Sequence, residues 1–193
     1  MTSADLYELF KIEDLKDLPN AIYGVLFGDT EHRDKIYFRL LELNKHDMGH
    51  DWFQNIYEEE LAQRKQSKQD FTPNSLSILV SRLTGQKGKI YEPTAGNGSM
   101  LIADWHQRCL NAPFPIMHFP ADNMFECWEL SSRAIPILLL NLSIRGMMGI
   151  VYHGDVLTME IKAKYILLNR HNDTLAFSEI IKDKNLNLKI IEK

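Results

Sequence analysis

The run Glu-Pro-Thr-Ala-Gly-Asn-Gly, from Glu92 to Gly98, holds the densest chemical signal in the chain. Two glycines in a G-x-G arrangement follow the short apolar run Lys-Ile-Tyr-Glu. Glycine reaches positive φ at no steric cost and lets a ligand approach the backbone closely. A dinucleotide site would need a third glycine where this chain has Leu101, and a Walker phosphate loop would need Gly-Lys followed by Ser or Thr. Neither pattern is complete. The acid at Glu92 suits a cationic or amino-bearing ligand better than an anion, and a Gly-rich turn that merely joins strand to helix stands at even weight. A second cluster, His46, Asp47, His50 and Asp51, offers a His-x-x-x-His pair for zinc, but Gly49 interrupts it and no third ligand is fixed. A helix–helix turn is the plainer reading. Cys109 and Cys127 lack metal-type spacing and read as reduced thiols.

The elements that must position these residues fall into two textures. Up to about residue 67 the chain reads as helices. Leu6, Leu9, Phe10 and Leu15 sit at helical spacing, the run Ala21–Gly28 continues apolar, and Ile36, Phe38, Leu40, Leu41 and Leu43 mark another helix. Trp52, Ile56, Tyr57 and Leu61 form one stripe that leads into the polar linker Lys65–Asp70. A helix then follows, with Thr72 at its cap, Pro73 at its first position and Gly85 past its end. From about Lys87 strands and helices alternate: Lys89–Glu92, Gly98–Cys109, Met124–Leu130, Ser131–Gly146, Gly149–Asp155, Lys164–Asn169, a helix over Thr174–Asp183 and a last strand near Asn187–Ile191. That alternation predicts an α/β domain over 68–193, with a parallel sheet covered on both faces, behind a helical segment over 1–67. Pro113, Pro115 and Pro120 mark a loop between the first helix of the sheet region and its second strand.

The 193 residues carry a formal net charge of −4, with 45% hydrophobic and 25% charged residues, enough for a real core without staples. The slight acidity argues against a nonspecific nucleic-acid coat. The basic runs at 32–35 and 63–69 read as solvated faces. The N-terminus lacks the basic start and long apolar run of a signal peptide, and the apolar run Ala134–Ile144 is too short to span a bilayer. A cytoplasmic protein without membrane contact is expected.

Read in order, these motifs resemble the adenine-N6 DNA methyltransferases, and are most similar to the modification subunits of type I restriction systems. Glu92-Pro93-Thr94-Ala95-Gly96-Asn97-Gly98 resembles the family's D-P-x-x-G-x-G motif, with Glu for Asp. Phe71-Thr72-Pro73 resembles its F-x-T-P segment, with the helix from Asp51 leading into it. Phe125–Leu130 resembles the second-strand motif with Glu129 at its acidic end, and His153-Gly154-Asp155 the third. The resemblance covers Asp51 to Asn169 and implies a Rossmann-like methyltransferase fold that binds S-adenosylmethionine. On that basis Glu92 stands near the cofactor's ammonium, with Pro93, Thr94 and Asn97 on its loop, while Gly96 and Gly98 admit the ligand to the backbone. Thr72 and Pro73 close over the amino acid end, and Phe71 beside them counts among the cofactor-binding residues. Glu129, followed by Leu130, accepts both ribose hydroxyls, since an ionised carboxylate only accepts, and Asp155 accepts from the adenine amino group.

The family's target-base motif, (N/D)-P-P-(F/Y) after the fourth strand, is where the resemblance fails. Asn169 stands in its first position, but Arg170 and His171 replace the prolines and Asn172 the aromatic. Losing a stacking platform costs about 1–3 kcal/mol of base binding, and a loosened loop costs on the order of 10²-fold in rate. With Asn169 as the only catalytic candidate, weak or absent methyl transfer is expected. So is a fold that lacks its later strands, a truncated domain. DNA recognition is then expected to come through a partner, such as restriction–modification subunits or another protein. The chain reads as a cofactor-binding regulatory or decoy partner; an active adenine-N6 methyltransferase and a pure interaction module without cofactor are the alternatives.

Overall fold

A computed structural model describes residues 1–56, 72–84, 88–114 and 117–183. Helix α1, Ser3–Phe10, starts on a capping box: the Thr2 hydroxyl accepts from the Asp5 amide and the Asp5 carboxylate accepts from the Thr2 amide. After a short 3₁₀ turn, α2, Leu18–Leu26, buries Leu18, Ile22 and Leu26. Helix α3, Thr30–Leu43, is capped by Asp29 and buries Ile36, Tyr37 and Leu40, while Phe38 faces solvent. Next come α4, Asn74–Leu83, β1, Ile90–Glu92, α5, Ser99–Asn111, β2, Phe125–Glu129, α6, Ala134–Ile144, β3, Gly149–Asp155, β4, Glu160–Leu168, and β5, Glu179–Lys182.

Apart from Asn141 and Ser143, helix α6 is apolar all round, and every residue in it is buried, which marks it as a core helix. Pro136 falls in its first turn, where no backbone amide is needed. One apolar core joins Leu6, Leu18, Ile22, Tyr37 and Leu40 from the N-terminal helices to α6 and to Phe125, Val151 and Leu167 in the sheet. The hydroxyls of Tyr37 and Ser143 hydrogen-bond inside it. Among the described residues no helix is long and apolar enough to cross a membrane.

The five strands lie in the order β1-β2-β3-β4-β5. Strands β1, β2 and β3 run parallel, as the alternating pattern predicts. Strand β4 does not: residues 156–159 make a tight turn and send it back antiparallel along β3, with Asp155 opposite Glu160 and Gly149 opposite Leu167. Strand β5 then runs antiparallel to β4. The expected parallel sheet is therefore a mixed one. The helix expected over Thr174–Asp183 is a turn followed by β5, whose Ile180 and Ile181 pair with Leu167 and Ile166.

Burial alternates along β3 and β4: Val151, Ala163, Tyr165 and Leu167 are buried, while Ile150, Tyr152, Lys164 and Ile166 are half-exposed. Among the described residues one sheet face is covered deeply and the other is only partly shielded, not both alike. Helix α4 begins one residue later than expected, with Pro73 at the cap and Thr72 outside it. Tyr57, Leu61, the linker, Gly85, Pro115 and the expected strand near Asn187 lie outside the described residues.

Candidate cofactor site

Strand β1 ends at Glu92, the loop Pro93–Gly98 follows, and α5 begins at Ser99. Three ties fix that loop. The Ala95 amide donates to the Trp128 carbonyl at 2.8 Å, so the loop extends the β1–β2 pairing. The Gly96 amide donates to Glu129 Oε2 at 2.7 Å. The Asn97 carbonyl accepts from Asn141 Nδ2 at 2.9 Å. The two glycines do different work. Gly98 has φ +97° and a Cβ there would lie 2.9 Å from Leu138 Cδ1, so this glycine serves close packing of the loop on α6. Gly96 has φ +55° and nothing within 4 Å of a Cβ, so open space lies over its backbone.

Glu129 closes β2 and is buried, at 8% exposure. Its Oε2 takes the Gly96 amide and its Oε1 the Ser131 amide at 2.6 Å. The carboxylate thus locks two loops together, and each oxygen keeps a further lone pair. In register with it on β3 stands His153, whose buried Nε2 has no hydrogen-bond partner among the described residues. Burial holds the His153 pKa below the usual imidazole value. Sequence reading quoted His153 but gave it no role.

Beneath the loop lies a buried polar cluster that sequence reading missed. Asp51 Oδ1 accepts from the Phe53 amide at 3.0 Å and from Asn141 Nδ2 at 2.8 Å. Burial raises the Asp51 pKa, opposed by those two hydrogen bonds and by the Arg145 charge. Arg145, also buried, donates to the carbonyls of Asn141, Met48 and His50 and lies 4.8 Å from the Trp52 ring centroid. Burial lowers its pKa to about 10. Arg145 and Asn141 sit one turn apart on α6 and face the segment 48–53, so one helix face fastens that segment to the glycine loop. Asn141 and Ser143 inside the otherwise apolar run Ala134–Ile144, with Arg145 just past it, were the available signal.

The remaining predicted residues fall as follows. Pro93 and Thr94 are exposed on the loop, and Thr94 donates through its amide to Glu92 Oε1 at 3.2 Å. Leu130 is exposed just past Glu129. Thr72 is held by Gln54 Nε2, which donates to its carbonyl at 3.2 Å, and Pro73 leads into α4. Phe71 lies outside the described residues. Asp155 reaches the same sheet edge as Glu129 at the end of β3, where its Oδ1 accepts from the Leu157 amide and shapes the turn into β4.

Asn169 is not among them. Because β4 runs antiparallel, its end lies at the start of β3, at the sheet edge away from the glycine loop. There Asn169 is 3% exposed, and its Nδ2 donates to the carbonyls of Asp173 at 2.7 Å, Ala176 at 3.2 Å and Gly146 at 3.4 Å. Its Oδ1 accepts from the Asp173 amide at 3.0 Å. The side chain organises a turn and is corrected from catalytic candidate to structural residue.

Among the described residues no group of three or more His, Cys, Asp or Glu could hold a metal; Asp47 and His50 approach each other at 3.4 Å, and Asp47 Oδ1 accepts from the Gly49 amide. Both cysteines are free; burial pushes the Cys109 thiol up to about 12.

The family description N-6 DNA Methylase matches residues 48–161. The chain belongs to the N-6 DNA methylase family. The matched region opens at the segment clamped by Arg145, contains the glycine loop, Glu129 and Asp155, and stops at the start of β4, before Asn169. No curated protein matches the chain.

Proposed function

We propose that this member of the family binds S-adenosylmethionine at the glycine loop but has lost methyl transfer, and acts as a regulatory or decoy partner akin to a type I modification subunit. Bound there, the cofactor supplies an electrophilic methyl group on a sulfonium centre. Two observations fit the residues to it: the open space over Gly96 and the spare lone pairs of Glu129. Glu92 would stand near the ammonium, Glu129 would accept the ribose hydroxyls, Asp155 would meet the adenine, and Thr72 and Pro73 would close over the amino acid end.

The observation that carries the loss of catalysis is the reversal of β4. It takes Asn169 and the residues after it to the opposite sheet edge. Positioning of an acceptor nitrogen against the methyl group accounts for much of such a reaction's rate. Asn169 and the residues that follow it, which stand in the place of the family's target-base motif, are therefore not beside the glycine loop. DNA contact is then the work of a partner chain.

One observation favours a second reading, an interaction module without cofactor: both Glu129 oxygens already accept from backbone amides. Calorimetric titration with S-adenosylmethionine, paired with a labelled-methyl transfer assay on adenine-containing DNA, separates the cases. Binding without transfer, alone and with modification subunits added, is expected. Labelled DNA would overturn the loss of catalysis, and absence of binding would favour the interaction module.

A further inference from the structure

Strand β1 is an edge of the sheet and, among the described residues, pairs with β2 alone. The Ile90 amide donates to the Met124 carbonyl at 3.0 Å, which turns the backbone groups of Ile90 and Glu92 toward β2. Peptide groups alternate in direction along a strand, so the Tyr91 amide and carbonyl face the open side, where no described residue pairs with them. Unpaired groups on a sheet edge are a template for another strand. The stretch on offer is short and ends at Pro93, which has no amide. A groove of about 180 Å³ runs along this edge. Lys89, Ile90, Tyr91 and Glu92 all line it. Side chains of a strand alternate between faces, so a groove that touches four in succession follows the edge and not one face. Val80 on α4 lines it from the other side, with Met100 and Leu101 on α5. Helix α4 is inverted for a surface helix: it buries Ser77 and Ser81 and exposes Leu76, Leu79 and Leu83.

We infer that this groove receives an extended segment of a partner protein, its backbone paired with Tyr91 and one aliphatic side chain seated against Val80, Ile90 and Met100. A strand edge that faces a helix across a groove is the setting in which an added strand docks: main-chain hydrogen bonds give affinity, and the pocket for an alternate side chain gives selectivity. Size limits the occupant. A cavity of about 150 Å³ takes a benzene, so this groove takes one branched aliphatic side chain. Charge limits it too. Asp104 and Arg108, which also line the groove, pair with each other at 2.6 Å, Lys89 pairs with Glu126 at 2.7 Å, and Glu92 Oε1 accepts from the Thr94 amide. A charged side chain would lose its hydration there for little return. The groove shares only Glu92 with the glycine-loop site and stands whether or not the chain binds S-adenosylmethionine.

The probe is the uncharged peptide acetyl-Thr-Val-Thr-Val-Thr-amide, titrated into the full chain without cofactor and followed by amide NMR. Binding should move the Tyr91 amide resonance and slow its hydrogen exchange roughly tenfold or more. Two N-methylated forms, one at both valines and one at the last two threonines, block opposite edges of the peptide; one should lose binding and the other keep it. A peptide with lysine for both valines should bind more weakly. Tyr91→Pro removes the edge amide where an edge strand tolerates proline and should weaken binding roughly tenfold, whereas Tyr91→Thr should leave it nearly unchanged. An unmoved Tyr91 amide at about 1 mM peptide, loss of binding with both methylated forms or with neither, tighter binding of the lysine peptide, or full affinity in Tyr91→Pro would each overturn the inference. If Tyr91→Pro fails to fold, Val80→Lys decides from the half-exposed helix wall: weaker binding supports the groove, and unchanged binding refutes it.

Discussion

Replacing Asn169 with Ala asks whether that side chain organises a turn or serves the site. Asn169 makes its two best hydrogen bonds with Asp173, at 2.7 and 3.0 Å, and two longer ones with Ala176 and Gly146. Each well-formed bond is worth about 1 kcal/mol net, and the partners left buried and unpaired add to the loss. The same turn is tightly packed: Gly146 has φ +66° and a Cβ there would lie 2.4 Å from the Ala176 carbonyl oxygen. Little relaxation can therefore absorb the change, and about 2–3 kcal/mol of destabilisation is expected. In a chain of this size that lowers the melting midpoint by roughly 5–10 °C. Urea denaturation measures the stability, and calorimetric titration with S-adenosylmethionine measures the site. The expected outcome is a lower urea midpoint with unchanged cofactor affinity. An unmoved midpoint combined with a tenfold fall in affinity would place Asn169 in the site and refute the strand-direction argument.

Three further outcomes follow from the site. Glu129→Gln keeps one acceptor but turns an amide NH₂ toward a backbone donor, so it should cost about 1.5–3 kcal/mol and speed hydrogen exchange at the Gly96 or Ser131 amide. Gly98→Ala should cost about 2–4 kcal/mol, from positive φ plus overlap with Leu138, whereas Gly96→Ala should cost only about 1 kcal/mol because its surroundings are open; chemical denaturation of both compares them. Asp51 has a raised pKa in the fold. Just above the usual carboxylate range the folded chain therefore holds more protons than the unfolded one, and stability falls as pH rises there. Asp51→Asn keeps an oxygen for the Phe53 and Asn141 donors and should flatten that slope, as melting curves from about pH 4 to 7 would show.

Strand β1, the loop to Gly98 and strands β2 and β3 were legible because their apolar runs end in Gly, Ser or Asp turns and alternate with helical periods. Helix α6 was legible by its apolar length. Strand direction was not, since a parallel and an antiparallel strand present the same local pattern. The clue lay in the spacing: a parallel return needs a crossover of a dozen or more residues, and only residues 156–159 separate β3 from β4. Residues 174–183 were misread because a short apolar run fits helix and strand alike. Glu129 and the glycine loop could be placed from motif order alone. The cluster of Asp51, Asn141 and Arg145 could not, because it joins residues about 90 positions apart that carry no shared local pattern. Asn169 matched a motif in sequence but not in space, because motif order says nothing about which sheet edge a reversed strand reaches.

The most direct test is a crystal structure of the chain grown with S-adenosylhomocysteine, the cofactor less its methyl group. The nucleoside is expected over Gly96, with its ribose hydroxyls on Glu129. A Gly96 surface without ligand, at concentrations that saturate known methyltransferases, would contradict the account.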